Sequence, residues 1–248
     1  MKCMNNEVVG ISAELAIADV FNLYVNPRYR ERGDEYIKDS LMNCVAYAFK
    51  EENLPTPIRH VAENKSLIDF ELEDGKTLSV KTNKRKLDKV APQRIGQPTS
   101  DTYFEYLSEA MDFDLQKELE LLGLPDAYET RRSLFKYFSR THIADLLPLY
   151  WEHLFECDYY IHFYNVVDGF DNPTGRARYL VLKDIPTSPR WDVTQITFTK
   201  TLEGWRESCT VKYMGTSIGE FQVHNNRDCL KFRFNIRGIL YLLNNHLI

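Results

Sequence analysis

An aspartate, a serine and a lysine stand in two short strand-like runs: Asp69 within residues 67–72, Ser79 and Lys81 within residues 77–82. A carboxylate can hold a cation, and an ammonium group can neutralise charge that builds on a phosphate. Lys84, Arg85, Lys86 and Lys89 follow within a few residues. An acid and a lysine on adjacent strands, opening into a cationic segment, suit metal-assisted cleavage of a phosphodiester.

The elements that must position them form a hairpin turning at Asp74-Gly75. A two-residue loop there pairs Phe70 with Ser79 and Asp69 with Val80, mixing polar and apolar side chains on both faces. A three-residue loop, Asp74-Gly75-Lys76, pairs Phe70 with Val80 and Leu72 with Leu78, and gathers Asp69, Glu71, Ser79 and Lys81 on the other face. Register follows the face that must be buried, so the second arrangement is expected. A surface hairpin with one solvated polar face is the competing reading.

The 248 residues fit one large domain, or a domain with a subdomain, able to bury a core. No run approaches a membrane span, and the first residues lack the apolar core of a secretory signal. The five cysteines (Cys3, Cys44, Cys157, Cys209, Cys229) include no CxxC pair, which points away from a disulfide framework or a zinc site and towards a reducing cytoplasm. The net charge of -5 argues against indiscriminate nucleic-acid affinity, yet the charge is unevenly spread. From Lys81 to Arg94 six basic residues face one acid, Asp88; Arg227, Lys231, Arg233 and Arg237 form a second strip, and residues 108–129 are acidic. An acidic exterior with two basic strips fits a selective groove.

Ser12 is positioned to cap a helix over residues 13–21, and Asp34 opens another. Pro55 and Pro57 break the chain before a short strand at 58–62 and the hairpin. Thr99 or Ser100 caps a helix to about Met111, and helical patterns continue over 115–122, 130–138 and 143–155, the last bent at Pro148. Residues 159–166 and 178–183 read as strands. Alternating segments at 194–201, 207–213, 217–224 and 230–234 read as a small antiparallel sheet, closed by a helix or strand over 236–247. The fold class is α/β: a mixed sheet flanked by helices over residues 1–190, including a helical insertion, with a β-rich extension over residues 191–248, the two forming either separate domains or one compact body.

The order helix, helix, strand, Asp-bearing strand, turn, Val-Lys-bearing strand, basic loop, helix resembles the PD-(D/E)xK nuclease superfamily, specifically its type II restriction endonucleases. The matching positions are Asp69, Ser79 and Lys81. The resemblance implies a restriction-endonuclease-like core and Mg²⁺-dependent hydrolysis of both strands of a short DNA sequence, leaving 5′-phosphate and 3′-hydroxyl ends. It implies that Asp69 and the Val80 carbonyl bind the metal, with Lys81 near the attacking water and the scissile phosphate. Ile68 stands where the family has proline, a position without chemistry. Ser79 stands where the family has a carboxylate, and a hydroxyl cannot neutralise a hard cation in the same way. Glu14, Glu71 and Glu105 are the possible replacements, with Glu14 favoured because the first helix often packs against the site in this fold.

Asn83, Lys84 and Lys86 in the basic loop, and Gln93, Arg94 and Gln97 in the segment 92–99, are candidate DNA contacts. The phosphate contacts among them would be salt-sensitive and independent of sequence. The stretch 218–235 resembles the recognition sheet of small restriction enzymes; there His224, Asn225, Arg227, Lys231 and Arg233 carry groups suited to base edges. His60, His142, His153 and His162 lack metal-ligand spacing, and the loop around Asp168 and Asp171 reads as a turn. The expected partner is double-stranded DNA, met by a monomer or homodimer in a bacterial cytoplasm, with a protecting methyltransferase as genetic partner. Two other readings stay open: a repair or junction nuclease of the same fold, and a DNA-binding protein with a decayed site.

Overall fold

The structure, a computed structural model, describes residues 5–62 and 66–248. Cys3 and the rest of the first four residues lie outside them. Among the described residues are eight α-helices and two five-stranded sheets, a mixed α/β architecture. The chain divides into two compact units, Met1–Asp88 with Phe155–Thr187 and Lys89–Leu154 with Ser188–Ile248. Sequence reading attaches the helical insertion to the first region; in the structure residues 89–154 group with the C-terminal strands. No helix among the described residues is long and apolar enough to cross a membrane.

In the first unit, α1 (Asn6–Val20), α2 (Pro27–Arg30) and α3 (Glu35–Glu51) precede β1 (Pro57–His60), β2 (Phe70–Leu72) and β3 (Thr77–Thr82); β5 (Tyr159–Tyr164) and β6 (Arg178–Lys183) complete the sheet, in the order β1-β2-β3-β5-β6. Only β3 and β5 run parallel. Asn5 caps α1 by accepting from Val8 N–H, so Ser12 is not the cap. Its hydroxyl, inside the helix, donates to the Val8 carbonyl and accepts from Asp34 N–H. α1 is buried almost all round from Val9 to Ala18, and so reads poorly as amphipathic. It packs with α3 on the sheet face that carries Phe70, Leu72, Leu78, Val80, Ile161 and Phe163.

The hairpin keeps the expected faces but is shifted by two residues: Phe70 pairs with Leu78 and Glu71 with Thr77. The loop is Glu73-Asp74-Gly75. Gly75 N–H donates to Leu72 O (3.0 Å), Leu72 N–H donates to Lys76 O (2.9 Å), and Gly75 sits at φ +79°. The expected loop would have put Lys76 in that left-handed position, which glycine occupies without the penalty a Cβ brings. A shift of two leaves every side chain on its face, but sets Asp69 opposite Ser79 instead of Lys81. The polar face is covered: Asp69 is 5% exposed and Ser79 1%, which rules out the solvated surface hairpin.

The second unit holds β4 (Lys89–Val90), α4 (Ser100–Met111), α5 (Leu115–Leu122), α6 (Tyr128–Thr141), α7 (Ile143–Phe155, its last residue in the other unit), β7 (Ile196–Phe198), β8 (Ser208–Tyr213), β9 (Thr216–Val223), β10 (Leu230–Asn235) and α8 (Ile236–Asn244). Its antiparallel sheet runs β4-β10-β9-β8-β7. Alternation buries Leu230, Phe232 and Phe234, and Tyr150 of α7 stacks on Phe232 at 4.3 Å between ring centroids. Lys231 and Arg233 take the opposite face, opposite Gln222 and Glu220.

Candidate active site

Asp69 stands one residue before β2, where its carboxylate reaches across to the next strand. Its Oδ2 accepts from Val80 N–H (2.6 Å) and from the Ser79 hydroxyl (3.3 Å), and lies 3.5 Å from Lys81 Nζ. Lys81 Nζ donates to Ser79 Oγ (2.7 Å) and to the Val80 carbonyl (3.1 Å). Ser79 is thus the hydrogen-bonded bridge between the acid and the lysine. Its position opposite Asp69 follows from the shifted register.

Of the three glutamates, Glu14 lies in this neighbourhood. Burial, and secondly the negative charge of Asp69, push its carboxyl above the usual carboxylate range. Glu14 Oε2 accepts from the Tyr29 hydroxyl (2.7 Å) and lies 3.0 Å from His60 Nε2. Glu71 shares the polar face by alternation, but Arg59 engages both its oxygens, one through Nε at 2.8 Å, and holds its carboxyl below the usual range. Glu105 is exposed on α4, in the other compact unit.

The parallel neighbour strand adds residues that sequence reading left aside. Tyr160 registers with Ser79, and His162 with Lys81. The Tyr160 hydroxyl and His162 Nδ1 share a hydrogen bond of 3.0 Å, and His162 is fully buried. Burial, then the charge of Lys81, push its pKa down to about 3, so the ring is neutral. Its Nε2 has no partner among the described residues. Burial pushes the nearby Cys157 thiol up to about 12, which keeps it protonated and poorly nucleophilic. These contacts span long sequence separations, and no local spacing announces them.

The donor set suits a hard cation. Among the described residues no three His, Cys, Asp or Glu side chains form a ready metal cluster. Asp69 and Glu14 nevertheless each spend one oxygen on protein partners: the hydrogen bonds of Asp69 fall on Oδ2 and those of Glu14 on Oε2. Asp69 Oδ1 and Glu14 Oε1 have no hydrogen-bond partner among the described residues. Two such carboxylate oxygens and a backbone carbonyl are oxygen ligands of the kind Mg²⁺ takes. The ammonium of Lys81 is set among Asp69, Ser79 and the Val80 carbonyl.

The expected DNA contacts divide between the two units. In the first, Asn83 accepts from Asp88 N–H (2.8 Å) and so closes the basic loop, Lys84 pairs with Asp171 (3.1 Å), and Lys86 is exposed. The Asp168 carboxylate accepts from Phe170 N–H (2.7 Å) and Asn172 N–H (3.0 Å), as a turn requires. In the second unit Arg94 and Gln97 are exposed, and Gln93 is half-buried with its N–H donating to His153 O (3.1 Å). Arg227 donates to His224 Nε2 (3.1 Å), and burial with the charges of Arg227 and Lys231 lowers the pKa of that imidazole. Asn225 accepts from Arg132 (2.8 Å) and donates to Glu207 (2.9 Å), so both ends of its amide are engaged. Arg233 donates to Glu220 (2.8 Å), which also accepts from Lys89 (2.8 Å), while Arg233 Nε is buried without a partner among the described residues. Lys231, beside it, has its pKa lowered by burial and by Arg233. Glu220 is the residue of this face that sequence reading missed.

No protein-family model matches the chain, and no solved structure matches it. The chain is similar to the type II restriction enzyme CviAII of Paramecium bursaria Chlorella virus 1, with 32% identity over 187 residues. The match covers 75% of this chain and 46% of the relative, so the chain spans about half the length of the curated relative it matches.

Proposed function

We propose that the protein is a sequence-specific endonuclease of the type II restriction class, acting on double-stranded DNA with Mg²⁺, from a PD-(D/E)xK-like core. The observation that carries the reading is the buried Asp69–Ser79–Lys81 arrangement on adjacent strands, with the Glu14 carboxylate close enough to feel Asp69. Similarity to a type II restriction enzyme over 75% of the chain supports it. Asp69, Glu14 and the Val80 carbonyl are the groups that would hold the metal. When bound, Mg²⁺ supplies Lewis-acid polarisation of the phosphate and acidifies a water.

The chain's own residues do the rest. Asp69 and Glu14 would face the cation together, and its charge would favour the ionised form of Glu14, which burial and the neighbouring Asp69 otherwise disfavour. Lys81 releases its contact with the Val80 carbonyl and turns its ammonium to the phosphate, where it offsets the extra negative charge of the pentacovalent transition state. Ser79 keeps the lysine stem in line. Water oxygen bonds to phosphorus and gives up a proton to solvent, the P–O3′ bond breaks, and the departing 3′ oxygen takes up a proton from solvent, giving 5′-phosphate and 3′-hydroxyl ends. Incubation with plasmid and with branched duplexes tests the class. Discrete fragments from plain plasmid support a restriction enzyme, and cleavage confined to branched DNA indicates a junction nuclease. A specific gel shift without cleavage in Mg²⁺ or Mn²⁺ indicates a decayed site.

The basic loop and the C-terminal sheet serve different purposes in this reading. Replacing Lys86 with alanine is expected to weaken binding to all duplexes alike and to reduce the salt slope by about one unit. Replacing Arg233 is expected to reduce preference for the target by about 1–3 kcal/mol. Binding titrations on target and random duplex at several salt concentrations check both. Equal losses on the two duplexes for Arg233→Ala would remove the sheet from recognition.

A further inference from the structure

Glu14 does not stand alone. It lies on α1, Tyr29 on α2 and His60 on β1, so three elements well separated in sequence meet at one carboxylate. The Tyr29 hydroxyl donates to Oε2 at 2.7 Å, and His60 Nε2 lies 3.0 Å from the same atom. The side chain of His60 is 1% exposed and that of Glu14 10%. The Tyr29 and His60 rings meet edge-on at 4.9 Å, and His60 meets Phe70, the residue after Asp69, at 5.1 Å. The two rings therefore brace each other as well as the carboxylate, and the second is seated on the strand that follows Asp69.

Both bonds reach one oxygen. That geometry fixes the rotation of the carboxylate and leaves Oε1 without a hydrogen-bond partner among the described residues. Asp69 shows the same division, with its partners on Oδ2. Neither Glu14 Oε1 nor Asp69 Oδ1 is among the buried atoms left without a partner, so both oxygens open to solvent, the side from which a cation would arrive. Residues that orient a metal ligand through its second heteroatom show this one-sided pattern.

We infer that Tyr29 and His60 are positioning residues for the metal site: they hold Glu14 Oε2 so that Oε1 is turned to the cation shared with Asp69. The inference rests on the nuclease reading and adds to it the residues that replace the missing strand carboxylate by a helix glutamate held from two sides. Tyr29→Phe removes one hydroxyl and keeps the ring against His60. His60→Ala removes the imidazole, whereas His60→Gln restores an N–H that can reach a carboxylate.

The test is Mn²⁺ binding to the whole protein without DNA, followed by the electron paramagnetic resonance signal of free Mn²⁺, with thermal melting of each variant alongside. Wild type is expected to bind Mn²⁺, and Glu14→Gln to lose that binding. Tyr29→Phe and His60→Ala should each raise the dissociation constant about tenfold or more, with His60→Gln recovering part of the loss. Unchanged Mn²⁺ affinity in Tyr29→Phe and His60→Ala, with Glu14→Gln still defective, overturns the brace and leaves the nuclease reading standing. Lower melting temperatures with unchanged affinity likewise reduce the two residues to packing. Absence of Mn²⁺ binding in the wild type overturns the metal site itself, and the brace with it.

Discussion

Asp69→Asn is expected to lower DNA cleavage by several orders of magnitude while the folded protein still binds its target. The substitution removes the negative charge but keeps an oxygen to accept from Val80 N–H, whose bond to Asp69 Oδ2 is 2.6 Å. Alanine would be a poorer probe. It would leave that buried N–H unsatisfied at a cost of about 1–3 kcal/mol, confusing lost chemistry with lost stability. Binding of duplex should be retained or tightened, since an anion near the phosphate has gone. Single-turnover cleavage in Mg²⁺ and filter binding in Ca²⁺ measure the two separately. Cleavage near the wild-type rate would remove Asp69 from the centre.

Lys81→Met is expected to lower the cleavage rate at least about a hundredfold, the order seen when one group that stabilises transition-state charge is lost. Methionine keeps much of the stem, whose burial on the covered face limits the structural damage. It removes the ammonium that bridges Ser79 Oγ at 2.7 Å and the Val80 carbonyl at 3.1 Å. The loss should appear in the rate at saturating DNA and much less in the dissociation constant, because a group acting in the transition state contributes little to ground-state binding. The same assays check it. A variant that cuts normally but binds weakly would make Lys81 a phosphate anchor instead.

The sequence made the two faces of the hairpin legible because alternation alone separates Phe70, Leu72, Leu78 and Val80 from Asp69, Glu71, Ser79 and Lys81. The register was harder to read. It depended on which loop residue takes the left-handed conformation, and Gly75 does so at the third loop position. The start of α1 was obscured because the helix is buried nearly all round: its cap is Asn5, while Ser12, read as the cap, has a hydroxyl that serves an interior contact with Asp34. Helices such as α5 and α7, with apolar positions spaced along one face, were legible to the residue. Joining β4 to β10 was beyond local reading, because a two-residue strand carries almost no pattern of its own.

The candidate site divides in the same way. Asp69, Ser79 and Lys81 are close in sequence, and a strand period is enough to put them on one face, while the register decides which of them meet. Glu14 could be ranked only by the expectation that the first helix packs near the site. Tyr29 and His60 stand 15 and 46 residues from it, with no motif linking them. His162 reaches Lys81 through a parallel pairing whose connection runs through the whole helical segment. Contacts of that kind arise from tertiary packing and leave no periodic trace.

The most direct measurement is to digest plasmid or phage DNA with the purified protein in Mg²⁺ and sequence the ends. A restriction-class nuclease should yield ends that all fall in one short sequence, carry 5′-phosphates that ligase can rejoin, and vanish when Mg²⁺ is chelated. Intact DNA in both Mg²⁺ and Mn²⁺, or ends scattered without a shared sequence, would contradict the account.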